Sequence, residues 1–240
     1  MPKNKKEEVI KRKVVILLVE GKSDKTALNL IEKFYTSKNI KVYTTDGDIT
    51  SNFLVTYTNC VEKLSEKIES IRDDMKLKRD DIYEVIHLID TDGAFIPDSC
   101  IVVDRNIKEF YYTLDCIKSN SKNKVIKRNN DKIGKIRVLL NTKKVDEEIK
   151  YRIFYMSCNL DHVLFNEMNL SNDKKVEKAF EFRRTYQNNK EGFINFFNSE
   201  GCKANGDYNT TWNFIQKDKN SLHRYNNLYI FLNELEEENS

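Results

Sequence analysis

Four short apolar runs are spread over the first two thirds of the chain, and between them apolar residues recur every three or four positions. The runs cover residues 14–19, 40–44, 83–89 and 151–156. Each has the length of a strand, and the six uninterrupted apolar residues of the first run are typical of a strand buried on both faces. Strands that alternate with helices in this way predict an α/β fold with a parallel sheet flanked by helices.

Three segments of this region are predicted to be helices. The first begins at Asp24, because the apolar residues that follow it form one stripe: Ala27, Leu28, Ile31, Phe34 and Tyr35. The second has apolar residues spaced by three and four positions between Val61 and Met75, and the third is predicted at residues 107–117. Beyond about residue 170 helical patterns dominate, which predicts a helical end to the chain.

These patterns divide the chain into three parts. Residues 1–13 are predicted to be a basic flexible tail, residues 14–170 the α/β domain, and residues 171–240 a helical C-terminal extension. Within the domain, residues 118–137 are polar and contain a glycine, and they are predicted to be a basic loop inserted before the fourth strand. A chain of 240 residues accommodates one large domain with such an extension.

The composition indicates the general class of the protein but says little about its binding partners. Apolar residues make up 39% of the chain and charged residues 33%, with a net charge of +3, which indicates a globular protein with both signs of charge well mixed. The five cysteines are scattered without a CxxC pair, so they predict neither a zinc site nor a disulfide framework. The first apolar run is too short for a signal peptide or a membrane span, and we therefore expect a cytoplasmic protein without membrane association.

Two pairs of acidic residues follow predicted strands. Glu20 ends the first strand and Asp24 opens the first helix, while Asp90 and Asp92 follow the third strand and precede Gly93. Because the carboxyl ends of parallel strands meet at one edge of a sheet, all four carboxylates are expected at one crevice. Carboxylates this close repel one another unless a cation separates them, and oxygen ligands suit Mg²⁺ or Mn²⁺. The pattern therefore predicts a metal site.

Each part of this pattern also has a simpler interpretation. Asp24 is a suitable residue to cap its helix, and Asp-x-Asp-Gly after a strand is often a polar turn. The combination of both clusters, about seventy residues apart and each at a strand end, is more specific than either alone. A Walker nucleotide site is rejected, because Ile16 stands where a P-loop needs its first glycine. His87 is interpreted as a core residue, whereas His162 is a weaker candidate for a role in the site.

The predicted basic insertion is the second candidate feature. It carries eight lysines and arginines against one acid, and it precedes the fourth strand, so it can lie beside the acidic crevice. Lys124, Lys127 and Arg128 are predicted to contact the phosphates of a nucleic acid. The alternative interpretation, a solvated surface insertion, stays open.

The acidic residues lie in two segments that resemble the motifs of the TOPRIM fold. The segments are Val-Glu-Gly-Lys-Ser-Asp-Lys-Thr-Ala-Leu at residues 19–28 and Leu-Ile-Asp-Thr-Asp-Gly at residues 88–93. Topoisomerases, bacterial primases, the overcoming-lysogenization-defect nucleases and small RNA maturases share this fold. The resemblance implies that Glu20 acts as general acid or base, or as a metal ligand, and that Asp90 and Asp92 bind Mg²⁺. It also implies that Asp24 is a further acidic position of the nuclease branch.

A third segment, Tyr-Met-Ser-Cys-Asn-Leu-Asp-His-Val-Leu at residues 155–164, is similar to a segment of the RloB-like and abortive-infection TOPRIM proteins. It lacks the usual proline and has Asp161 in place of a glutamate. The resemblance implies a role for Asp161 near a second metal ion. Lys22, beside Glu20, is a candidate contact for the substrate phosphate, with an ordinary solvated lysine as the alternative.

The function implied by the resemblance is that of a Mg²⁺-dependent nuclease that cleaves DNA or RNA in antiviral, abortive-infection defence. Such proteins often work with a separate ABC-type ATPase, and this chain has no ATPase motif of its own; formation of a homo-oligomer is left open. The alternatives are an RNA-processing ribonuclease and a non-catalytic module that binds nucleic acid or a partner. A topoisomerase is disfavoured, because its catalytic tyrosine lies on a far larger cleavage domain than 240 residues can accommodate.

Overall fold

The computed structural model describes residues 13–37, 39–146 and 148–239. Residues 1–12 of the predicted basic tail lie outside the described residues, as does Ser240. The strands are β1 Lys13–Val19, β2 Ile40–Asp46, β3 Ile82–Asp90, β4 Ile101–Val103, β5 Tyr111–Tyr112, β6 Ile117–Ser119, β7 Lys144–Val145, β8 Ile149–Ser157 and β9 Tyr225–Asn226. The α-helices are α1 Lys22–Tyr35, α2 Cys60–Asp74, α3 Lys122–Asn141, α4 Leu160–Phe165, α5 Asn172–Tyr186, α6 Lys190–Asn198, α7 Tyr208–Ile215 and α8 Leu228–Asn239.

The central sheet has the order β2-β1-β3-β8-β7, with β9 paired to β8 on the same side as β7. The four long strands are parallel, as predicted. The short strands β7 and β9 run antiparallel to β8, so the prediction of a purely parallel sheet was wrong. β7 and β9 are each two residues long, too short to show a periodic pattern of apolar residues. They are strands only because they pair with the edge of β8. The fold is α/β, with a mixed sheet flanked by helices.

The sheet is covered by apolar helix faces on both sides. Val15, Leu17 and Val19 of β1 face a core that includes α1, α5, α6 and α8. The intervening residues of β1 face a second core formed with α2, α3 and α7. The alternation follows from the two-residue period of a strand, and the burial of both sets explains why this strand is apolar throughout. Within the described residues, no helix is long and apolar enough to cross a membrane.

The helix predicted at residues 107–117 is absent, and a small separate sheet of order β4-β6-β5 stands in its place. The reason is a polar turn between β5 and β6. The Thr113 hydroxyl accepts a hydrogen bond from the Cys116 amide at 3.0 Å and donates one to the Cys116 carbonyl at 3.0 Å. A threonine that bonds its neighbouring backbone in this way competes with helical pairing.

The predicted basic loop at residues 118–137 is also wrong, because most of it belongs to α3. Ser121 caps this helix by accepting a hydrogen bond from the Lys124 amide at 3.4 Å. Gly134 lies inside the helix, where a Cβ atom would stand 3.3 Å from the Tyr57 side chain, so glycine here permits a close approach of that residue. The helix buries Val125 and Ile136, and it also buries two lysines.

The helical pattern predicted beyond residue 170 is confirmed in α5 to α8, and it missed β9. Aromatic side chains of α5 and α6 pack edge to face: the ring centroids of Phe182 and Phe196 lie 5.4 Å apart. Phe193, Phe197 and Phe231 are buried in the same core as β1. The helices α5, α6 and α8 therefore cover one face of the sheet, and α7 packs on the other.

A candidate acidic site at the carboxyl end of the sheet

Three adjacent parallel strands, β1, β3 and β8, end beside one another and carry acidic residues at or just beyond their ends. Glu20 follows β1, Asp90 is the last residue of β3, and Asp161 lies in the first turn of α4 after β8. Asp90 Oδ1 accepts a hydrogen bond of 2.8 Å from the Leu160 amide, which ties the end of β3 to the start of α4. The sheet topology thus brings together residues that are far apart in sequence.

The turn after β3 depends on an unusual backbone. Asp92 and Gly93 both have positive φ angles, of 49° and 62°, and the Asp92 amide donates to the Cys158 carbonyl at 2.6 Å. At Gly93 a Cβ atom would lie 2.5 Å from Leu222, so both conformation and space require glycine. This turn aims the Asp92 carboxylate at α3.

Lys132 of α3 is the main cation at the site, and the sequence analysis missed it. Its side chain is 2% exposed; Nζ contacts Asp92 Oδ2, and it lies 3.6 Å from Glu20 Oε1 and 2.7 Å from Ser51 Oγ. Burial lowers the pKa of Lys132, but the carboxylates of Asp92 and Glu20 outweigh burial and raise it. Lys132 is therefore a permanent cation between two of the predicted metal ligands.

Glu20 and Asp92 respond to this environment in opposite directions. Burial raises the pKa of Glu20 to about 7, although Lys132 and a hydrogen bond from Thr50 oppose the shift. Burial also disfavours the ionised form of Asp92, but Lys132 and Arg128 outweigh it and lower its pKa. The two carboxyl groups are thus kept in different protonation states near neutral pH, a pattern typical of acid–base sites.

Asp90 and Asp24 occupy the more negative part of the site. Burial, reinforced by repulsion from Glu20, Asp24 and Asp92, raises the pKa of Asp90 well above its usual range. Burial also raises the pKa of Asp24, whose Oδ2 accepts a hydrogen bond of 2.9 Å from the Gly21 amide at the start of α1. The capping interpretation of Asp24 therefore describes one of its contacts, and its charge still acts on Asp90.

The remaining predicted residues fall into two groups. Asp161 is buried and forms an ion pair of 2.8 Å with Lys175 of α5, and its charge also raises the pKa of Asp24. Arg128 donates to the Asp92 carbonyl at 2.8 Å. Lys22, Lys124 and Lys127 are exposed, and within the described ranges they make no ion pair with the acidic residues.

The two histidines considered in the sequence analysis lie away from this chemistry. His87 is fully buried in β3, where Nδ1 shares a hydrogen bond of 2.8 Å with the Tyr151 hydroxyl, and burial lowers its pKa to about 3. His162 is buried in α4, and burial followed by Arg224 lowers its pKa to about 4. Both are neutral core residues at physiological pH.

A signal for the missed lysine was present in the sequence. Arg128, Lys132 and Lys135 follow one another at spacings of four and three, which places them on one face of a helix. The other missed contacts, Thr50 and Ser51, belong to the loop after β2. The Ser51 hydroxyl donates to Asp92 Oδ2 at 3.3 Å and lies 3.4 Å from Glu20 Oε2; no periodicity marks residues of this kind.

The donor set suits a hard divalent cation, although the present arrangement is compensated by a lysine. The site offers only carboxylate and hydroxyl oxygens, and its carboxyl groups outnumber the cationic side chains beside them. Among the described residues, no three Asp, Glu, His or Cys side chains are grouped closely enough to hold a metal ion.

Comparison of the chain with models of known protein families, with curated proteins and with solved structures finds no match. The resemblance to TOPRIM proteins therefore stays a prediction from the sequence motifs, and the function must be argued from the geometry of the acidic site.

Proposed function

We propose that this chain is a Mg²⁺- or Mn²⁺-dependent nuclease of the TOPRIM type, acting on the phosphodiester bonds of DNA or RNA. The observation that carries the proposal is the contrast between Glu20 and Asp92. Glu20, with its pKa at about 7, suits proton transfer at neutral pH, because catalytic acids and bases work best when their pKa is near the operating pH. Asp92, held ionised by Lys132 and Arg128, suits a permanent anionic ligand.

Different residues are proposed to transfer protons and to bind the cation during hydrolysis. Glu20 is oriented by Thr50 and Ser51, so in its ionised form it can accept a proton from an attacking water and in its neutral form return one. Asp90, Asp92 and Glu20 would hold a divalent cation, which neutralises the substrate phosphate. With a cation held by these carboxylates, Lys132 would be available to contact a phosphate oxygen.

Asp24 and Asp161 form the second part of the proposed site. Their carboxylates interact electrostatically, and Lys175 pairs with Asp161 at 2.8 Å. By resemblance to two-metal nucleases they are proposed to assist a second ion. Lys22 at the start of α1 is proposed as a phosphate contact. Lys124 and Lys127, exposed on the helix that carries Lys132, are proposed to bind the nucleic-acid backbone.

The biological setting follows from the resemblance alone. We propose a role as the effector of a bacterial abortive-infection defence system, in the cytoplasm, with an ABC-type ATPase as a separate partner and with self-association as an open possibility of assembly. An RNA-processing ribonuclease is the alternative within the same chemistry. A non-catalytic binding module is favoured by one observation, namely that Lys132 already neutralises Glu20 and Asp92.

Cleavage assays on the purified chain distinguish these proposals. Labelled DNA, transfer RNA and total RNA are incubated with Mn²⁺ or Mg²⁺, with and without the genomic partner, and the products are resolved on denaturing gels. We expect cleavage that is lost in Glu20→Gln and retained in Glu84→Gln, a control glutamate that is also buried but lies in the middle of the sheet. A wild-type chain that binds nucleic acid and never cleaves it would favour the binding module.

A further inference from the structure

A cavity of about 470 Å³ opens beside the acidic site. Asp90 and Asp92 line one part of it, and three consecutive aromatic residues, at positions 110–112 in and before β5, line another. Its volume lies within the range of about 300–1,000 Å³ that is typical of sites for small ligands. Carboxylates and aromatic rings therefore share one space of the size that part of a substrate can fill.

The aromatic part of the cavity is held in place from two sides. The Tyr112 amide donates to Asn169 Oδ1, and Asn169 Nδ2 donates to the Tyr112 carbonyl, both at 2.8 Å. The Arg128 guanidinium lies 5.0 Å from the ring centroid of Phe110 and 5.8 Å from that of Tyr112. Because Arg128 also donates to the Asp92 carbonyl, one side chain couples these rings to the acidic turn. The cavity is thus formed before any ligand arrives.

Tyr111 is the aromatic residue that remains available. It is 47% exposed, and it lies between two residues whose rings are engaged with Arg128. Tyr111 also lines the cavity, so an exposed part of its side chain is available to a ligand there. An exposed aromatic ring at a nucleic-acid site is suited to stacking with an unpaired base, since every base presents a flat π face.

The charged residues that line the cavity are three acids, Asp90, Asp92 and Glu109, and one lysine, Lys175. A nucleotide phosphate therefore fits there only together with the divalent cation of the proposed function, and Lys124 and Lys127, exposed on α3, offer positive charge to the rest of the strand. A double helix keeps its bases stacked internally, so it cannot place one in a side cavity unless the base is first extruded. A single strand meets no such cost.

We infer that this cavity receives one unpaired base of a single-stranded nucleic acid, stacked on Tyr111, while the adjoining phosphate is bound through the cation that Asp90 and Asp92 would hold. The inference rests on the proposed nuclease function and names its substrate class. Single strands, or unpaired regions of a folded RNA, are then the preferred substrates, and duplexes are poor ones.

The test measures binding and stacking separately from cleavage. Single-stranded DNA and RNA oligonucleotides of one sequence, each with 2-aminopurine at successive positions, are titrated with the full chain in Ca²⁺, and matched duplexes are titrated in parallel. Stacking on Tyr111 quenches the fluorescence of 2-aminopurine at one position. Tyr111→Ala should abolish that quenching and weaken single-strand binding about tenfold, whereas Tyr111→Phe should retain both. Phe180→Ala is the matched control, because Phe180 is a similarly exposed aromatic residue, at 49%, on α5.

The outcomes separate this inference from the proposed function. Quenching at one position that depends on the ring of Tyr111 supports the base site, and the DNA and RNA arms then show which sugar is preferred. Equal affinity for duplex and single strand, or the same affinity in Tyr111→Ala as in wild type, overturns the base site while Mn²⁺-dependent cleavage by the same preparation leaves the nuclease standing. No binding of any nucleic acid overturns both.

Discussion

Carboxylates meet a buried or partly buried cation in two regions of the sheet, and the balance of charge differs between them. Near the middle of β3 and β8, the Arg152 guanidinium forms paired hydrogen bonds with Glu84, at 2.7 and 3.2 Å, and with Glu234, at 2.8 and 2.6 Å. Burial lowers the pKa of Arg152, but these hydrogen bonds outweigh it and raise the pKa. These four hydrogen bonds use four of the five N–H donors of the guanidinium.

The acidic site also combines carboxylates with a buried cation, but not every carboxylate there is paired with it. Lys132 contacts Asp92 and lies near Glu20, whereas Asp90 has a raised pKa and no cation in contact among the described residues. In the Arg152 network each carboxylate is paired with the guanidinium, whereas in the acidic site the repulsion among Asp90, Glu20, Asp24 and Asp92 raises the pKa of Asp90. Shifted pKa values of this kind are concentrated at functional sites.

The largest effect is expected at Lys132. Lys132→Met should lower the free energy of unfolding by about 3–5 kcal/mol in the absence of metal, because it leaves buried carboxylates without their cation. Mn²⁺ should then restore much of the lost stability, since the ion can take over the neutralisation. Chemical denaturation with EDTA and with Mn²⁺ measures both.

The control for this experiment lies one turn along α3. Lys135 is also fully buried, but it pairs with Asp131 at 2.8 Å and donates to the carbonyls of Thr50 and Asn52. Lys135→Met should be destabilised without rescue by Mn²⁺. Equal rescue of the two variants would mean that Lys132 does not stand in for an ion.

The second largest effect is expected in the pH dependence of stability, which should distinguish the acidic site from the Arg152 network. The folded-state pKa of Glu20 is raised from its ordinary 4.5 to about 7, so the folded state binds more protons in this window. The contribution of Glu20 to the stability of the metal-free protein should therefore fall as pH rises from about 4.5 to 7, by up to about 1.4 kcal/mol per pH unit, whereas the lowered pKa values of His87 and His162 contribute a rise up to about pH 6.5 in the wild type and in Glu20→Gln alike. Urea unfolding across this range should show a more positive slope of stability against pH in Glu20→Gln than in the wild type, and identical slopes in the two proteins would contradict the shift.

Arg152→Met should cost about 2 kcal/mol, because Glu84 and Glu234 lose charged hydrogen bonds. Neither Mn²⁺ nor a change of pH between 5 and 8 should alter this cost, which thermal unfolding in both conditions measures. A metal-dependent recovery here would show that the two regions do not differ in the way described above.

Asparagine at the two metal-site aspartates should have opposite effects on stability. Asp90→Asn removes repulsion and keeps the acceptor for the Leu160 amide, so it should stabilise the metal-free protein by about 1 kcal/mol. Asp92→Asn removes the partner of Lys132 and should destabilise it. Both should abolish Mn²⁺ binding in calorimetry, and retained wild-type affinity in the double variant would end the metal proposal.

The smallest effect is expected on the exposed face of α3. Glutamate at Lys124 and Lys127 should weaken nucleic-acid binding and reduce the slope of affinity against salt concentration by about two phosphate contacts, while Mn²⁺ affinity is unchanged. Glutamate at Arg183 and Arg184, an exposed basic pair on α5, is the matched control. Filter binding at several salt concentrations should separate the two double variants.

The sequence by itself determined the parts of the fold whose periodicity is strong. The four long strands and the helices α1 and α2 lie where their patterns predicted them, because burial on a sheet face or a helix stripe requires a regular spacing of apolar residues. The acidic residues at the ends of β1 and β3 were found in the same way, from their position after buried strands.

Tertiary structure alone decided the remainder. The strands β5, β7 and β9 are two residues long and exist only through their neighbours, and α3 was predicted to be a loop because its buried face includes the charged Lys132 and Lys135. A lysine is buried when carboxylates from other elements surround it, and sequence spacing does not reveal that Glu20, Ser51 and Asp92 converge on one ammonium group. The spacing of apolar residues identifies a buried core. It does not show that a buried lysine is paired with carboxylates from other elements of the fold.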